Sequence, residues 1–255
     1  MEAQFEALSE LVKNGQKLNF GQDFFVKFYQ AFLYSDRWHQ YIKGVGTTLL
    51  VTAIALVLGV VLGAIVAMVR VGYAQQKPHH RNPILGIFNA VAQVYVTVIR
   101  GTPMMVQLLI MSMVIFASSR NFTMVGALAL GINSGAYVSE IIRGGLMAVD
   151  PGQMEAGRSL GLNYMTTMFE IIIPQAIRSI LPALGNEFIM LLKDSSLITV
   201  IGGKELLYAA QGIMNRTYEP MFPLLGVAAT YLVLVMLFSA CLLYTSPSPR
   251  DISGS

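Results

Sequence analysis

Long charge-free runs separated by short polar connections dominate the pattern of this chain. No charged residue lies between Lys43 and Arg70. A bilayer-crossing helix needs about 20 mostly apolar residues, so residues 48–69 read as the clearest span. Residues 102–119, 122–142, 181–201 and 221–240 read as further spans. The 122–142 run carries Asn133, Ser134 and Glu140, and the 181–201 run is the most polar, with Glu187, Lys193 and Asp194. Residues 82–99 are also uncharged, but they hold Asn89 and Gln93 and abut Arg100-Gly101-Thr102-Pro103. They read as a helix at the cytoplasmic surface leading into the second span, with a sixth span as the alternative. The pattern predicts an all-α polytopic membrane protein with about five transmembrane helices.

Ahead of the first span, Phe24, Phe25, Phe28, Tyr29, Phe32 and Leu33 recur at helical spacing, followed by Trp38 and Tyr41. Aromatic rings favour the headgroup zone, so residues 22–42 read as one interfacial helix within a segment 1–43; a small soluble cap is the other reading. The first residues lack the basic start and early apolar core of a signal peptide. Glycines at 59 and 63, and at 131 and 135, form G-x-x-x-G steps, which let helix backbones approach closely in lipid. Packing within the subunit is preferred over a dimer seam.

Composition agrees. The chain is 55% hydrophobic and 12% charged, with a mean hydropathy of +0.59, whereas soluble domains carry about 25% charged residues. Membrane lipid is therefore its solvent. A net charge of +3 is too small to point to nucleic acid. Basic residues mark the cytoplasmic side. Arg70, Lys77 and Arg81, with His79 and His80, follow the first span, and Arg143, Arg158 and Arg178 follow the third; Arg120, Lys204 and Arg216 fall on the other side. This distribution leans by a narrow margin towards an external N-terminus with the segment around Glu155 inside, an orientation that rests more on the odd number of spans and on the family resemblance of that segment. No phosphate-binding G-x-x-x-x-G-K-[ST] loop occurs, so ATP chemistry belongs elsewhere. Two adjacent histidines make a poor metal site, and no metal or cofactor is expected. No internal repeat of the kind common in secondary carriers is found.

One stretch is more specific. Glu155-Ala156-Gly157 is followed by Arg158, by Gly161 after three residues, and by Ile171-x-Ile173-Pro174. That spacing resembles the EAA loop of binding-protein-dependent ABC import permeases. Around it stand Arg100-Gly101-Thr102-Pro103, Asn133-Ser134-Gly135-Ala136-Tyr137, Glu140 and Arg143, and then Asn186-Glu187-Phe188 and Lys193-Asp194-Ser195-Ser196. In the same order, these resemble the polar amino acid branch of that family. Two departures stand out: Gly157 in place of a second alanine and Ser195 in place of a commoner threonine. The resemblance implies the MetI-like fold over residues 44–240, with a cytoplasmic coupling loop at about 145–178. It implies that Glu155, Ala156, Gly157 and Arg158 lie on a docking helix, that Gly161 permits its turn and that Pro174 starts the return helix. The implied partners are two copies of an ABC ATPase subunit, a second permease chain and an extracytoplasmic amino acid-binding protein, in the bacterial cytoplasmic membrane. The chain itself would be a transport subunit, not an enzyme.

Polar groups within spans mark a pathway or a pairing. Asn186 and Lys193 are seven residues apart and share a helix face, as do Glu187 and Asp194. Lys193 could meet an amino acid carboxylate, and Glu187 or Asp194 its ammonium; Asn133, Ser134 and Glu140 complete the candidate pathway. Local pairing of Glu140 with Arg143, or of Lys193 with a neighbouring acid, is the competing reading. A permease for another small solute, or an ATP-independent channel or carrier, is the alternative function. Residues 241–251 match the translation of a transposase-type sequencing adapter, so 241–255 are set aside from fold reasoning.

Overall fold

The computed structural model describes residues 1–76 and 81–245, with side chains through Leu242. Lys77, His79, His80 and residues 246–255 lie outside the described residues. All regular structure among the described residues is helical. Two short helices, α1 (Glu2–Lys13) and α2 (Phe20–Phe32), form a hairpin, and Asn19 starts α2 through a capping box with Gln22 (2.9 and 3.1 Å). Phe5 and Leu8 of α1 pack on Val26 and Tyr29 of α2. The continuous helix expected over 22–42 is instead broken after Phe32, where Ser35 and Asp36 take positive φ values of 52° and 53°. Arg37 clamps this corner by donating to the Gln30 carbonyl. Burial pushes the pKa of its guanidinium below the ordinary value.

The bundle follows: α3 (Trp38–Ala74), α4 (Pro83–Gly101), α5 (Met104–Ile110, prolonged by a π-turn to Ile115), α6 (Phe122–Met147), α7 (Pro151–Ser159), α8 (Tyr164–Thr167), α9 (Ile173–Asp194), α10 (Leu206–Thr217) and α11 (Met221–Thr245). A π-turn at Met168–Ile172 joins α8 to α9, and a 3₁₀ turn at Ser195–Ile201 ends that rod. Among the described residues, five helices are long and apolar enough to cross a membrane: Trp38–Ala74, Pro83–Gly101, Phe122–Met147, Tyr164–Ile201 and Met221–Leu242.

This corrects the second span. Residues 83–101 form the long apolar helix, whereas Met104–Ile115 makes only about 18 Å of helix at 1.5 Å per residue, short of a bilayer core. Pro103 has no N–H to give and holds extended backbone (ψ 136°), so the two runs cannot fuse. A second correction concerns Pro174. It sits in the first turn of α9, but the rod already begins at Tyr164, where Asn163 accepts from the Thr166 N–H (2.9 Å).

The α3–α6 seam is the core of the fold. A Cβ built on Gly59 would lie 2.6 Å from Ser134 Oγ, and one on Gly63 would lie 2.7 Å from Val138 Cβ; Gly131 and Gly135 meet Leu58 and Leu62 in the same way. Both G-x-x-x-G steps are therefore consumed inside the subunit. An apolar cluster with Val51, Ala55, Leu108, Leu130, Leu191 and Ile198 lies beside this seam.

Candidate functional site

The stretch from Asp150 to Thr167 builds the loop from local rules. Asp150 Oδ1 accepts from the Gly152 N–H (2.8 Å) and Pro151 occupies the first helical turn, so α7 is capped at its start. At its end Gly161 takes φ +84°, the Gly161 N–H bonds the Arg158 carbonyl (3.0 Å) and the Leu162 N–H bonds the Gly157 carbonyl (3.1 Å). That is a Schellman motif, and it requires the left-handed residue that glycine supplies. Gly157 is buried because α7 lies on α8: a Cβ there would meet Thr167 Cγ2 at 2.6 Å. The departure from alanine thus has a steric reason. Glu155, Ala156 and Arg158 are exposed, and Leu160, Met165 and Phe169 present 81%, 58% and 60% of their surface beside them. The result is a charged and apolar knob at one end of the bundle. Gln175 ties α9 to α7 through Gln153 (3.2 Å), and Tyr164 donates to Gln75, the residue that caps the end of α3.

Residues 157–161 also spell G-x-S-x-G, a nucleophile-elbow pattern missed in the sequence reading. The elbow needs a strand-to-helix turn. Here the pattern ends a helix, and Ser159 Oγ donates to the Glu155 carbonyl (2.9 Å), so it carries no nucleophile geometry.

The polar residues of the spans fall into three groups. Asn133 Nδ2 donates to Gln107 Oε1 (2.9 Å), and Gln107 Nε2 donates to the Ile99 carbonyl (2.7 Å) and to Thr102 Oγ1 (2.8 Å). Gln107, not singled out from sequence, thus satisfies the carbonyl exposed where α4 breaks. Gln107→Leu is expected to lower stability by about 1–3 kcal/mol through that orphaned acceptor, read as a lower unfolding midpoint in detergent. In the second group, Ser134 Oγ donates to Glu187 Oε1 (2.7 Å), and both residues are buried between α6 and α9. In the third, Glu140 accepts from Arg143 (2.7 and 3.1 Å) and from Arg70 of α3. The expected local pair exists, with a second cation that sequence spacing could not reveal.

Asn186 and Lys193 share an exposed face of α9 with Gln175, Ser179 and Met190, within about 60° of arc at 100° per residue. Lys193 makes no ion pair among the described residues. Asp194 is half-buried beside it. Arg100, at the end of α4, lies over the Tyr137 ring of α6 at 5.3 Å. Glu205, unremarked in the sequence, is 1% exposed and joins four segments through Thr48, Thr199, Tyr208 and Tyr231.

The family described as binding-protein-dependent transport system inner membrane component matches residues 83–250. A Rickettsia bellii (strain RML369-C) protein named as a glutamine transport system permease protein is 40% identical over 204 residues, covering 78% of this chain and 87% of that one. The arginine transport system permease protein of Bacillus subtilis (strain 168) is 33% identical over 203 residues, with the same coverage of 78% and 87%. The crystal structure of an amino acid ABC transporter with histidines aligns with a TM-score of 0.73 at 41% identity, over 81% of this chain and 92% of that one. An inward-facing MetNI methionine ABC transporter aligns at 0.68 with 18% identity, over 82% and 96%, and so speaks for the fold alone. The exposed, Schellman-capped α7 and the helical bundle behind it therefore stand in a chain that belongs to the binding-protein-dependent transport system inner membrane component family.

Proposed function

We propose that this chain is the permease subunit of an ABC importer that moves a polar amino acid across the bacterial cytoplasmic membrane. The observation that carries the reading is the likeness to a solved amino acid ABC transporter at 41% identity over 92% of that chain. Permease relatives named for glutamine and arginine support the same class. The chain is the moving part and not the motor. A separate ATPase subunit, in two copies, hydrolyses ATP; a second permease chain completes the path; an extracytoplasmic binding protein delivers the substrate. The N-terminus is external and α7 is cytoplasmic.

In this reading α7 is the coupling helix. Glu155, Ala156 and Arg158 face the ATPase, Gly157 seats the helix on α8, Gly161 turns the chain and Pro174 stiffens the return. ATP-driven approach of the two ATPases moves α7 and, with it, α6 and the α8–α9 rod, shifting an equilibrium between outward-open and inward-open states. The exposed face of α9 with Asn186 and Lys193 lines the path, and Asp194 stands beside it. Asn133, Ser134 and Glu187 are engaged within the subunit and shape that wall.

The test is co-purification with an amino acid importer ATPase from the same source. The unaltered chain is expected to hold the ATPase through affinity purification, and Glu155→Arg to lose it while keeping its own yield. Equal recovery with both versions, or no ATPase with either, would defeat the coupling assignment.

A further inference from the structure

The ion-paired carboxylate of Glu140 has a task distinct from substrate contact. Both of its oxygens are occupied: Arg143, three residues on in the same helix, holds Oε2 at 2.7 and 3.1 Å, and Arg70 of α3 holds Oε1. Glu140 and Arg70 expose only 18% and 19% of their side chains. An acid whose two oxygens both accept from guanidiniums in a half-buried setting already has its charge compensated within the subunit. The bond to Arg70 crosses between helices, whereas the bond to Arg143 stays within α6.

Its location gives the crossing bond its role. α6 ends at Met147 and α7 begins at Pro151, so Glu140 lies within two helical turns of the end of the helix that feeds α7. α7 itself meets the end of α3 across a 510 Å³ cavity lined by Val71, Gln75, Met147, Met154, Arg158 and Tyr164. Load applied to α7 therefore reaches α3 by two polar ties, Arg70–Glu140 and Gln75–Tyr164, and by the glycine seam higher up. The seam holds helices by close packing, which resists separation. Directional, charge-assisted bonds also resist sliding along the helix axes.

We propose that Glu140, through Arg70, is a positioning residue that locks the α7-proximal ends of α3 and α6 into one rigid body, so that motion of the coupling helix is delivered to α3 instead of being absorbed by slip at the seam. The inference rests on the importer reading above. It assigns Arg143 a lesser part, since removing it leaves the crossing bond in place.

The experiment uses the assembled importer in liposomes, with its ATPase and binding protein, and reads ATP hydrolysed per amino acid taken up. Glu140→Ala and Arg70→Ala are expected to raise that ratio by at least ~5-fold, the lower end of usual coupling energies, while ATPase association and hydrolysis persist. Arg143→Ala is expected to stay within twofold. In the Arg143→Ala background, the exchanged pair Arg70→Glu with Glu140→Arg is expected to restore the ratio, which a merely structural loss would not permit. An unchanged ratio in both single variants overturns the proposal, as does a raised ratio that the exchanged pair leaves raised. Absence of ATPase from the unaltered chain would overturn the importer reading itself, and it is scored separately in the same preparations.

Discussion

Glu205→Leu is expected to abolish recovery of folded protein from membranes. Glu205 lies at the N-cap of α10, and its carboxylate gathers donors from four segments. Oε1 accepts from the Tyr208 N–H (2.8 Å) and from the Thr199 hydroxyl; Oε2 accepts from the Tyr231 hydroxyl (2.7 Å) and, at 3.4 Å, from the Thr48 hydroxyl. Thr48 in turn accepts from the Leu206 N–H at 3.3 Å. The carboxylate at the centre is sealed, with Glu205 at 1% and Thr48 at 0% exposure. A leucine fills the space but leaves four donors facing it, at about 1–3 kcal/mol each. The sum rivals the whole stability of a typical domain, about 5–15 kcal/mol. Glu205→Gln keeps one acceptor oxygen and turns an NH₂ toward some of the same donors, so it is expected to fold with a clearly lower unfolding midpoint. Detergent-extracted yield by size-exclusion chromatography, followed by thermal unfolding, checks both. Full recovery of Glu205→Leu with an unchanged midpoint would mean that water or rearrangement satisfies these donors.

Glu205 also shows where sequence reading stops. Its hydroxyl partner Thr48 is 157 residues away, and nothing local marks Glu205 as other than a loop acid shortly after Gly202 and Gly203. Arg70 is the same case. Its position after the first span suggested only basic flank charge, because its partner Glu140 lies 70 residues downstream on another helix. Pairings set by tertiary contact leave no spacing to read.

What was legible obeyed local physics. The bilayer's length requirement picked out the runs that became α3, α6, α9 and α11, and the glycine at 161 announced the turn that the Schellman motif makes. The G-x-x-x-G steps were legible as close packing, preferred within the subunit, while the pairing of each step with the other's helix appears only in the fold. The segment 82–119 was misjudged because hydropathy sees two adjacent apolar runs of similar length. Which one forms the long helix depends on where Pro103 interrupts them and on Gln107 folding back to satisfy the break, and neither changes average hydropathy. The single helix expected over 22–42 failed for a comparable reason: its aromatic periodicity continues through a corner held by Arg37, a residue that periodicity does not weigh.

The seam itself gives the second large expectation. Gly63→Leu is expected to prevent α3 and α6 from docking, whereas Gly72→Leu, two and a half turns on in the same helix, is expected to be tolerated. A Cβ at position 63 would fall 2.7 Å from both Val138 Cβ and Val138 Cγ1 and 2.9 Å from the Ser139 N, while at position 72 nothing lies within 4 Å. Backbone cannot move aside as a side-chain tip can, so the helices must separate. Overpacking in an otherwise sound core costs about 1–3 kcal/mol; here separation also strips contacts along the entire seam, including Gly59 on Ser134 and Leu58 on Gly131. The neighbouring hydrogen bond from Ser134 to Glu187 depends on the same closeness, so α9 loses its anchor to α6 when the seam opens. Both variants carry the same leucine, and so the same gain in hydrophobicity and helix propensity; only the neighbour differs. Membrane-extracted yield, together with protease resistance of the α3–α6 region, separates them. Comparable folding of the two variants would show that the seam can widen freely, and the close approach of these helices would then be incidental to the fold.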